Sequence, residues 1–361
     1  MTDTVRLDWG VSRRPLAKPY ELSFATLTTF ESVWVAARRS DGAVGLGEAV
    51  ALPGYGWETA EDARRVVGEL VERLDGKPAA EIAAACADAS EAAPFAASAV
   101  VSAVELGDWL GRVAEGRPVP VNMALAATRT PETLEGAIAP ALDAGRRYFK
   151  CKVGKDIEAD IATAAWLLPR LAAAGARCVF DANQAHSLDE ARAFARAVAP
   201  HGQDSLAWYE QPCDRRDWDA HAALIGGTET AVVLDECIYT AADIDRARRI
   251  GAAGVKLKLF KHPGLAETDR LARYAKDLGL IVVMGNGVAT DIGNLAEYLL
   301  LAAGAGVYTH PAESTGFAKL VEPFALAGLA VTADGRFRID DPAGADWGGR
   351  VRAAVERLSA E

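Results

Sequence analysis

The stretch RYFKCKVGKDIEADIATAAWLLPRLAAAGARCVFDANQ, residues 147–184, decides the fold class of this chain. It opens with a short apolar strand and continues through a loop into an Ala/Leu-rich segment with apolar residues at helical spacing. A second apolar strand follows directly after Gly175. A strand, a helix and a further strand in this order predict two parallel strands joined by a crossover helix.

The same unit recurs from residue 118 to residue 320. Eight apolar segments in this range predict strands, and Ala/Leu/Arg-rich helical segments separate them. The eight segments read VPVNMALAA, RYFKCKVG, ARCVFDANQ, LAWYEQP, AVVLDECI, GVKLKLFK, LIVVMGNG and VYTHPAE. Eight strands alternating with helices over about 200 residues favour a closed (β/α) barrel of the TIM type over an open sheet.

The two ends of the chain follow a different pattern. Residues 20–48 alternate like antiparallel strands, residues 58–115 are Ala-rich and helical, and residues 325–361 return to short strand-like pieces. We therefore expect an α/β chain in which an α+β capping domain, formed from both chain ends, accompanies the barrel. The expected division is 1–117 for the capping domain, 118–322 for the catalytic barrel and 323–361 for the C-terminal return to the cap.

Amino-acid composition and net charge limit the kinds of molecule that the protein is expected to bind. The net charge of −11 and the scattered lysines argue against nucleic acid and against an anionic membrane surface. The N-terminal stretch MTDTVRLDWG has no basic region followed by an apolar run, so we expect no signal peptide. The most apolar long window, LAEYLLLAAGAGVY, is interrupted by Glu297. Five cysteines without a CxxC pair predict buried thiols in a reducing compartment. We expect a cytoplasmic protein with a small-molecule ligand.

Charged residues stand at the carboxyl ends of five successive predicted strands, where a parallel barrel places its chemistry. They are Lys150 and Lys152, Asp181 and Asn183, Glu210, Asp235 and Glu236, and Lys256 and Lys258. Three acids on successive strand ends would repel one another, and a hard divalent cation such as Mg²⁺ resolves this. Lys150 and Lys152, on the second predicted strand, point the same way, so an anion between them is favoured.

These residues form motifs that resemble those of the enolase superfamily, specifically its muconate-lactonizing-enzyme subgroup. The motifs KCK, DAN, EQP, DE and KLK follow in this order, one on each strand. Each motif alone is weak, whereas five in order within an eightfold βα pattern are specific. The resemblance covers nearly the whole chain, and relatives in this family are commonly homo-oligomers.

The resemblance implies a role for each charged strand end. Asp181, Glu210 and Asp235 would bind one Mg²⁺ per subunit, with Asn183 and Glu236 as their neighbours. Lys152 and Lys258 would act as acid and base on the two faces of a small carboxylate substrate. Lys150 would neutralise the substrate carboxylate. Abstraction of a proton beside that carboxylate would give an enediolate, which the cation and Lys150 stabilise.

The motifs indicate enediolate chemistry but constrain less which overall reaction follows from it. The segment GNGVATD, at the end of the seventh predicted strand, contains no His, which disfavours the mandelate-racemase type of site. Lysines on both faces fit racemisation or epimerisation. They equally fit syn dehydration or cycloisomerisation with a single working lysine. A metal-binding scaffold without turnover is a third reading, although no essential position is missing.

Residues expected at the mouth of the barrel indicate the class of substrate. The segment THPAEST lacks the Asp-x-Asp of dipeptide epimerases, Ala289 replaces a frequent Glu, and Pro263 stiffens the loop after strand 6. A dipeptide is therefore disfavoured. Segments 17–23 and 52–58 would close over the mouth. The predicted substrate contacts are Tyr20, Tyr55, Trp57, Asn286, Asp291, His310 and Glu313. Aromatic rings with carboxylates suit an ammonium, which favours an amino-acid-derived substrate, unless the rings only pack the domains together.

Overall fold

The computed structural model describes residues 4–21, 26–52, 55–115, 117–125, 130–201, 204–340 and 346–360. Its N-terminal part begins with a three-stranded antiparallel sheet and continues with three helices. These elements are β1 (Val5–Glu21), β2 (Thr26–Arg39), β3 (Val44–Ala49), α1 (Ala60–Leu74), α2 (Ala79–Ala89) and α3 (Pro94–Trp109). The strands followed by helices confirm the α+β character predicted for this part.

Helix α3 packs closely on β3 because the strand presents glycines to it. A Cβ added at Gly45 would lie 2.1 Å from the carbonyl oxygen of Ala103, and one at Gly47 would lie 2.0 Å from that of Ala99. No side chain fits at such distances, so the helix backbone contacts the sheet directly. Every residue of β3 is buried as a result.

The middle of the chain forms one parallel sheet of seven strands in chain order. It follows β4 (Val119–Pro120), which belongs to a separate small sheet. The seven strands are β5 (Met123–Ala124), β6 (Tyr148–Lys152), β7 (Arg177–Asp181), β8 (Leu206–Glu210), β9 (Val232–Leu234), β10 (Gly254–Leu257) and β11 (Ile281–Met284). A helix follows each strand: α4 (Pro131–Asp143), α5 (Ile157–Ala173), α6 (Leu188–Val198), α7 (Trp218–Ile225), α8 (Ala241–Arg249), α9 (Gly264–Asp277) and α10 (Asp291–Ala303).

The ring is completed by a short segment rather than by the predicted eighth strand. In VYTHPAE only Ala312 forms a bridge, to Val121. The Ala312 N–H donates to the carbonyl of Pro120 (2.8 Å), and the Glu313 N–H donates to that of Met284 (3.0 Å). Residues 312–313, here called the closing segment, therefore join β11 to the chain before β5. Pro311 lacks an N–H, so a longer ladder cannot form there.

The C-terminal residues return to the N-terminal part of the molecule, as predicted. β12 (Leu329–Val331) and β13 (Arg336–Ile339) form a small antiparallel sheet with β4. Helix α11 (Trp347–Leu358), which the sequence analysis missed, packs against β3. The Arg38 guanidinium also donates to the Ser359 hydroxyl (2.9 Å). The exact domain boundaries after residues 117 and 322 stay a prediction.

Two carboxylates of the N-terminal part reach across to helix starts of the barrel. Glu48 of β3 accepts hydrogen bonds from the backbone N–H groups of Thr290 (2.7 Å) and Gly293 (3.0 Å), at the start of α10. Glu105 of α3 accepts from the N–H groups of Leu265 (2.6 Å) and Ala266 (3.0 Å), at the start of α9. Negative charge at a helix N-terminus is stabilising, so both contacts fasten the cap to the barrel.

The described helices include none with the length and apolar character needed to cross a membrane.

Candidate active site

The predicted strand-end acids face the barrel interior because of strand alternation. Trp208 of β8 belongs to a buried apolar cluster to which four strands each contribute one side chain. Glu210 follows Trp208 by two residues and therefore lies on the same face of the strand. Asp181 of β7 and Asp235, just after β9, follow the same relation to their own strands, and all three carboxylates are fully buried. The strand register pairs Asp181 directly with Glu210.

The paired lysines of β6 share one of these acids. Lys152 Nζ lies 2.6 Å and Lys150 Nζ 2.8 Å from Oδ2 of Asp181. Lys150 also pairs with Glu210 (2.8 Å) and Glu313 (2.7 Å). Burial opposes its charge, yet the carboxylates outweigh burial and raise the pKa of Lys150 well above its usual value. Carboxylates therefore explain how two ammonium groups stand side by side.

Lys258 and Lys261 surround Asp235 in the same manner. Lys258 Nζ lies 2.8 Å from Oδ2 of Asp235 and 4.0 Å from the ring centre of Tyr55. Burial lowers the pKa of Lys258, but the Asp235 and Glu236 charges outweigh it and raise the pKa overall. Lys261 donates to the Asp235 carbonyl (2.8 Å) and lies 3.2 Å from its Oδ1. The Lys261 side chain is buried.

Asn183 and Glu236 connect the two lysine groups. Lys152 donates to Oδ1 of Asn183 (2.5 Å), whose Nδ2 donates to Glu236 (2.8 Å). Asn183 adopts a left-handed backbone conformation (φ +42°), which lets its own N–H donate to Asp181. Burial and the charges of Asp235 and Asp181 raise the pKa of Glu236 to about 8.

Lys256 links Glu210 to the closing segment. Its ammonium lies 3.0 Å from Oε1 of Glu210 and 2.5 Å from Oε2 of Glu313, and the side chain has no exposed surface. The indole of Trp208 donates to the other Glu210 oxygen (3.2 Å). Glu210 is therefore held on both oxygens, and Lys256 is a buried ion-pair partner.

The three acids fit a divalent cation by their chemistry, since hard cations prefer carboxylate oxygens. Among the described residues, no three Asp, Glu, His or Cys side chains stand close enough to hold a metal ion as arranged, and ammonium groups pair with each of the three acids. Within the same ranges, Oε2 of Glu236 is buried without a hydrogen-bond partner. The donors that would hold the cation are Asp181, Glu210 and Asp235.

A cavity lies over these groups, between the barrel mouth and the cap. It brings together eight of the predicted site residues: Lys150, Lys152, Lys258, Asn183, Asn286, Glu313, Tyr20 and Tyr55. The Tyr55 hydroxyl donates to Oδ1 of Asp235 (2.8 Å), and burial with the Asp235 charge raises the pKa of Tyr55 well above its usual value. Both candidate bases, Lys152 and Lys258, therefore face one roofed cavity.

Comparison with known proteins agrees with this arrangement. Residues 134–345, more than half of the chain, match the family described as enolase C-terminal domain-like. Residues 7–122 match the mandelate racemase/muconate lactonizing enzyme N-terminal domain. The chain belongs to the mandelate racemase/muconate lactonizing enzyme family of the enolase superfamily. The predicted resemblance is confirmed.

Relatives within the family differ in the reaction named for them. An aromatic dipeptide epimerase of Herpetosiphon aurantiacus is 28% identical over 91% of this chain and 94% of that protein. Muconate cycloisomerase 1 of Pseudomonas putida is 28% identical over 77% and 78%. The crystal structure of N-succinyl Arg/Lys racemase from Bacillus cereus has the same fold, with a TM-score of 0.81 at 20% identity over 99% and 98%.

Three predicted substrate contacts lie outside the cavity lining. Trp57 is 41% exposed, stacks on Tyr239 (centroids 4.7 Å apart) and donates from its indole to a backbone carbonyl. The Asp291 carboxylate accepts hydrogen bonds from the backbone N–H groups of residues 324 and 325, so it stabilises the fold rather than contacting substrate. His310 packs edge-on against Trp208 (5.6 Å). Of the predicted mouth segments, residues 22–23 and 53–54 lie outside the described ranges.

Sequence reasoning missed two lysines near this family's motifs. Lys261 follows Lys258 by three residues, and its burial arises because the 3-10 turn Leu259–Lys261 folds it back onto Asp235. Lys319 lies six residues after Glu313 in a segment without regular periodicity, so no sequence pattern pointed to it. Its ammonium reaches the carbonyl of Gly287 at the cavity wall (2.8 Å).

Proposed function

We propose that this chain racemises or epimerises a small amino-acid-derived carboxylate by Mg²⁺-dependent abstraction of the proton beside the carboxylate. The observation that carries the proposal is that Lys152 and Lys258, from different strands of one barrel, line the same roofed cavity. Two lysines facing one substrate permit proton removal and return on different faces. The named activities of epimerase relatives support the same conclusion.

The substrate carboxylate would bind near Lys150, the ammonium shared by Asp181, Glu210 and Glu313. When bound by Asp181, Glu210 and Asp235, Mg²⁺ would supply the charge that stabilises an enediolate. The buried Lys150 ammonium adds a second positive charge that needs no reorganisation. The cap residues Tyr20 and Tyr55 exclude water from above.

Proton transfer follows from the two candidate bases. One lysine Nζ accepts the α-proton, and the other Nζ returns a proton to the opposite face. Lys258 is competent as a base only when Asp235 no longer pairs with it, because that charge holds the pKa of Lys258 above its usual value. In the reverse direction the two lysines exchange roles.

The amino group of the substrate is best explained as acylated. The expected carboxylate partners of a free ammonium do not serve that purpose: Asp291 lies outside the cavity lining, and Glu313 pairs with Lys150 and Lys256. A free ammonium entering the cavity would therefore meet lysines without an available counter-charge. This supports an N-acyl amino acid over a dipeptide with a free N-terminus.

A cycloisomerase or syn dehydratase is the second candidate, favoured by the muconate cycloisomerase relative. In that reaction a single lysine moves the proton and the other lysine only stabilises charge. Magnesium as the specific cation, assembly into a homo-oligomer and a cytoplasmic location likewise stay predictions.

Solvent exchange tests the proposal. The protein is incubated with Mg²⁺ in D₂O with pooled N-acyl amino acids, dipeptides and muconate-like diacids, and mass shifts and configuration are measured. We expect one deuterium at the carbon beside the carboxylate, with inversion, and we expect the inversion to be lost in Lys152→Ala and in Lys258→Ala. The exposed Lys276→Ala serves as the matched control. Inversion that survives either active-site change, or ring closure without inversion, would exclude the two-base reaction.

A further inference from the structure

Gln211 connects the ends of the strands that carry the three candidate cation donors. It follows Glu210 directly, has no exposed surface and adopts a left-handed backbone conformation (φ +35°). Its N–H donates to the carbonyl of Val233 (3.0 Å), and its carbonyl accepts from the N–H of Gln184 (2.9 Å). The end of β8 is therefore joined to β9 on one side and to the loop after β7 on the other.

The side chain of Gln211 holds the main chain of Asp235. The last residue pair between β8 and β9 is Glu210 with Val233. Beyond that pair, the N–H of Asp235 donates to Oε1 of Gln211 (2.8 Å), and the carbonyl of Asp235 accepts from Lys261 (2.8 Å). Two side chains thus fix both backbone polar groups of Asp235, and the direction of its carboxylate depends on them.

The Gln211 amide has one orientation that satisfies all its neighbours. A backbone N–H can only donate, so the amide atom that faces Asp235 is the oxygen, which also accepts from Sγ of Cys237 (3.4 Å). Nε2 of Gln211 then faces the carbonyl of Cys213 (3.2 Å) and Nε2 of His221 (3.3 Å). A rotated amide would turn its NH₂ group toward the Asp235 N–H and its oxygen toward two acceptors.

His221 supplies one of these acceptors from helix α7. Its side chain has no exposed surface, and its Nδ1 donates to the carbonyl of Asp217 (2.9 Å). A neutral imidazole with its proton on Nδ1 carries a lone pair on Nε2, the atom that faces Gln211. Burial lowers the pKa of His221, which favours this neutral form. A proton on Nε2 would instead set a donor against the Gln211 NH₂ group.

We propose that His221 is a positioning residue of the cation site: its Nε2 lone pair fixes the Gln211 amide, which in turn fixes the main chain and carboxylate of Asp235. The inference rests on the cation site of the proposed function. Proton transfer stays with Lys152 and Lys258. Residues behind a metal ligand commonly set the affinity of the site, so the affinity for Mg²⁺ is the property that His221 should control.

Calorimetric titration with Mg²⁺ alone tests the role of His221. The protein is first freed of metal with EDTA and then dialysed. His221→Leu removes the lone pair, whereas the amide oxygen of His221→Gln can replace it. Thr230→Val is the matched control: Thr230 is buried, precedes β9 at the end of the strand away from Asp235, and would lose the hydrogen bond that its hydroxyl donates to Ala195 (3.1 Å).

We expect His221→Leu to raise the Kd for Mg²⁺ by about tenfold or more and His221→Gln to raise it by about threefold at most. Thr230→Val should leave this Kd unchanged, even where urea unfolding shows that it is less stable. An unchanged Kd in His221→Leu would overturn the positioning role. Equal losses of affinity in His221→Leu and His221→Gln would also overturn it, because His221 would then contribute by its shape and not by its lone pair.

Nitrogen NMR of the unmodified protein tests the same assignment without a change in the fold. In protein that carries isotope-labelled histidine, long-range spectra show which ring nitrogen bears the proton. The signals that disappear in His221→Gln belong to His221. We expect its proton on Nδ1 and a lone pair on Nε2. A proton on Nε2 would overturn the inference, since this nitrogen could not then accept from Gln211.

Metal binding and turnover separate this inference from the proposed function. Mg²⁺ binding that depends on the His221 lone pair, in a protein that exchanges no α-proton, would uphold the positioning role and reject the racemase. Exchange with inversion, together with an affinity for Mg²⁺ that does not depend on His221, would uphold the racemase and reject the positioning role.

Discussion

The ammonium of Lys256 lies 3.0 Å from Oε1 of Glu210, deep inside the barrel and without exposed surface. Its other partner is Glu313. Lys256→Met would leave both carboxylates with one cation fewer in a buried setting. We expect the free energy of unfolding in urea to fall by about 3–5 kcal/mol, the usual cost of breaking a buried ion pair from one side.

The double variant Lys256→Met/Glu313→Gln serves as the control for this pair. It removes one of the two buried carboxylate charges together with the lysine, so it should recover part of the lost stability. A single variant that unfolds within about 0.5 kcal/mol of the unmodified protein would show that Lys256 stabilises neither carboxylate.

Lys261→Met tests how much the buried Lys261 ammonium stabilises the fold. The change removes the Lys261 donor from the Asp235 and Lys256 carbonyls and removes one cation from Asp235. We expect a loss of about 3–5 kcal/mol in the free energy of unfolding. Lys155→Met, at an exposed loop position, is the control and should stay within about 0.5 kcal/mol.

Glu297 predicts a pH dependence of stability. Burial raises its pKa from 4.5 to about 7. The folded state therefore binds the proton more tightly than the unfolded state, so this contribution is complete below about pH 4.5 and is lost as the pH rises to about 7. Its size is at most about 3 kcal/mol.

Glu297→Gln isolates that contribution, because glutamine imitates the neutral side chain. Relative to the unmodified protein, the variant should gain stability between pH 5 and pH 8, as measured by urea unfolding at each pH. Glu58, with a pKa of about 7, adds a similar slope to both proteins and cancels in the difference. A difference that stays constant with pH would contradict the assignment. Glu72→Gln, an exposed position, is the control.

Metal removal should uncouple activity from folding. After EDTA treatment we expect α-proton exchange to stop and to return with added Mg²⁺. Saturating Mg²⁺, at about 100 times its Kd, should stabilise the fold by about 2.7 kcal/mol. Asp235→Asn should abolish this stabilisation by Mg²⁺. Because Trp208 donates to Glu210, its fluorescence should also change on Mg²⁺ binding, and Trp208→Phe should remove that signal.

The sequence predicted the charged strand ends well, because strand alternation fixes the face on which each side chain stands. Asp181, Glu210 and Asp235 needed only a strand assignment to be placed together inside the barrel. Lys152 and Lys258 followed from the same parity. Family motifs then supplied their roles, which the structure leaves open to the experiments above.

Residues on irregular segments could not be placed in this way. The closing segment lacks a periodic pattern, and Pro311 interrupts its pairing, so the predicted eighth strand was too long. Asp291 and Trp57 carry suitable chemistry for a substrate contact, yet tertiary hydrogen bonds turn them to other partners. Lys319 reaches Gly287 at the cavity wall only through the fold of a 3-10 turn, which no local propensity reveals.

The contacts of Glu48 and Glu105 with adjacent helix starts bear on how substrate enters. Each carboxylate fixes a different edge of the cap to the barrel wall, and each is buried or nearly so, with backbone donors that have no other acceptor in the helix. A swing of the entire cap would break both sets of bonds together. We therefore expect that ligand enters and leaves past the cavity-lining residues Tyr20 and Leu52. The rest of the cap is expected to stay fixed to the barrel.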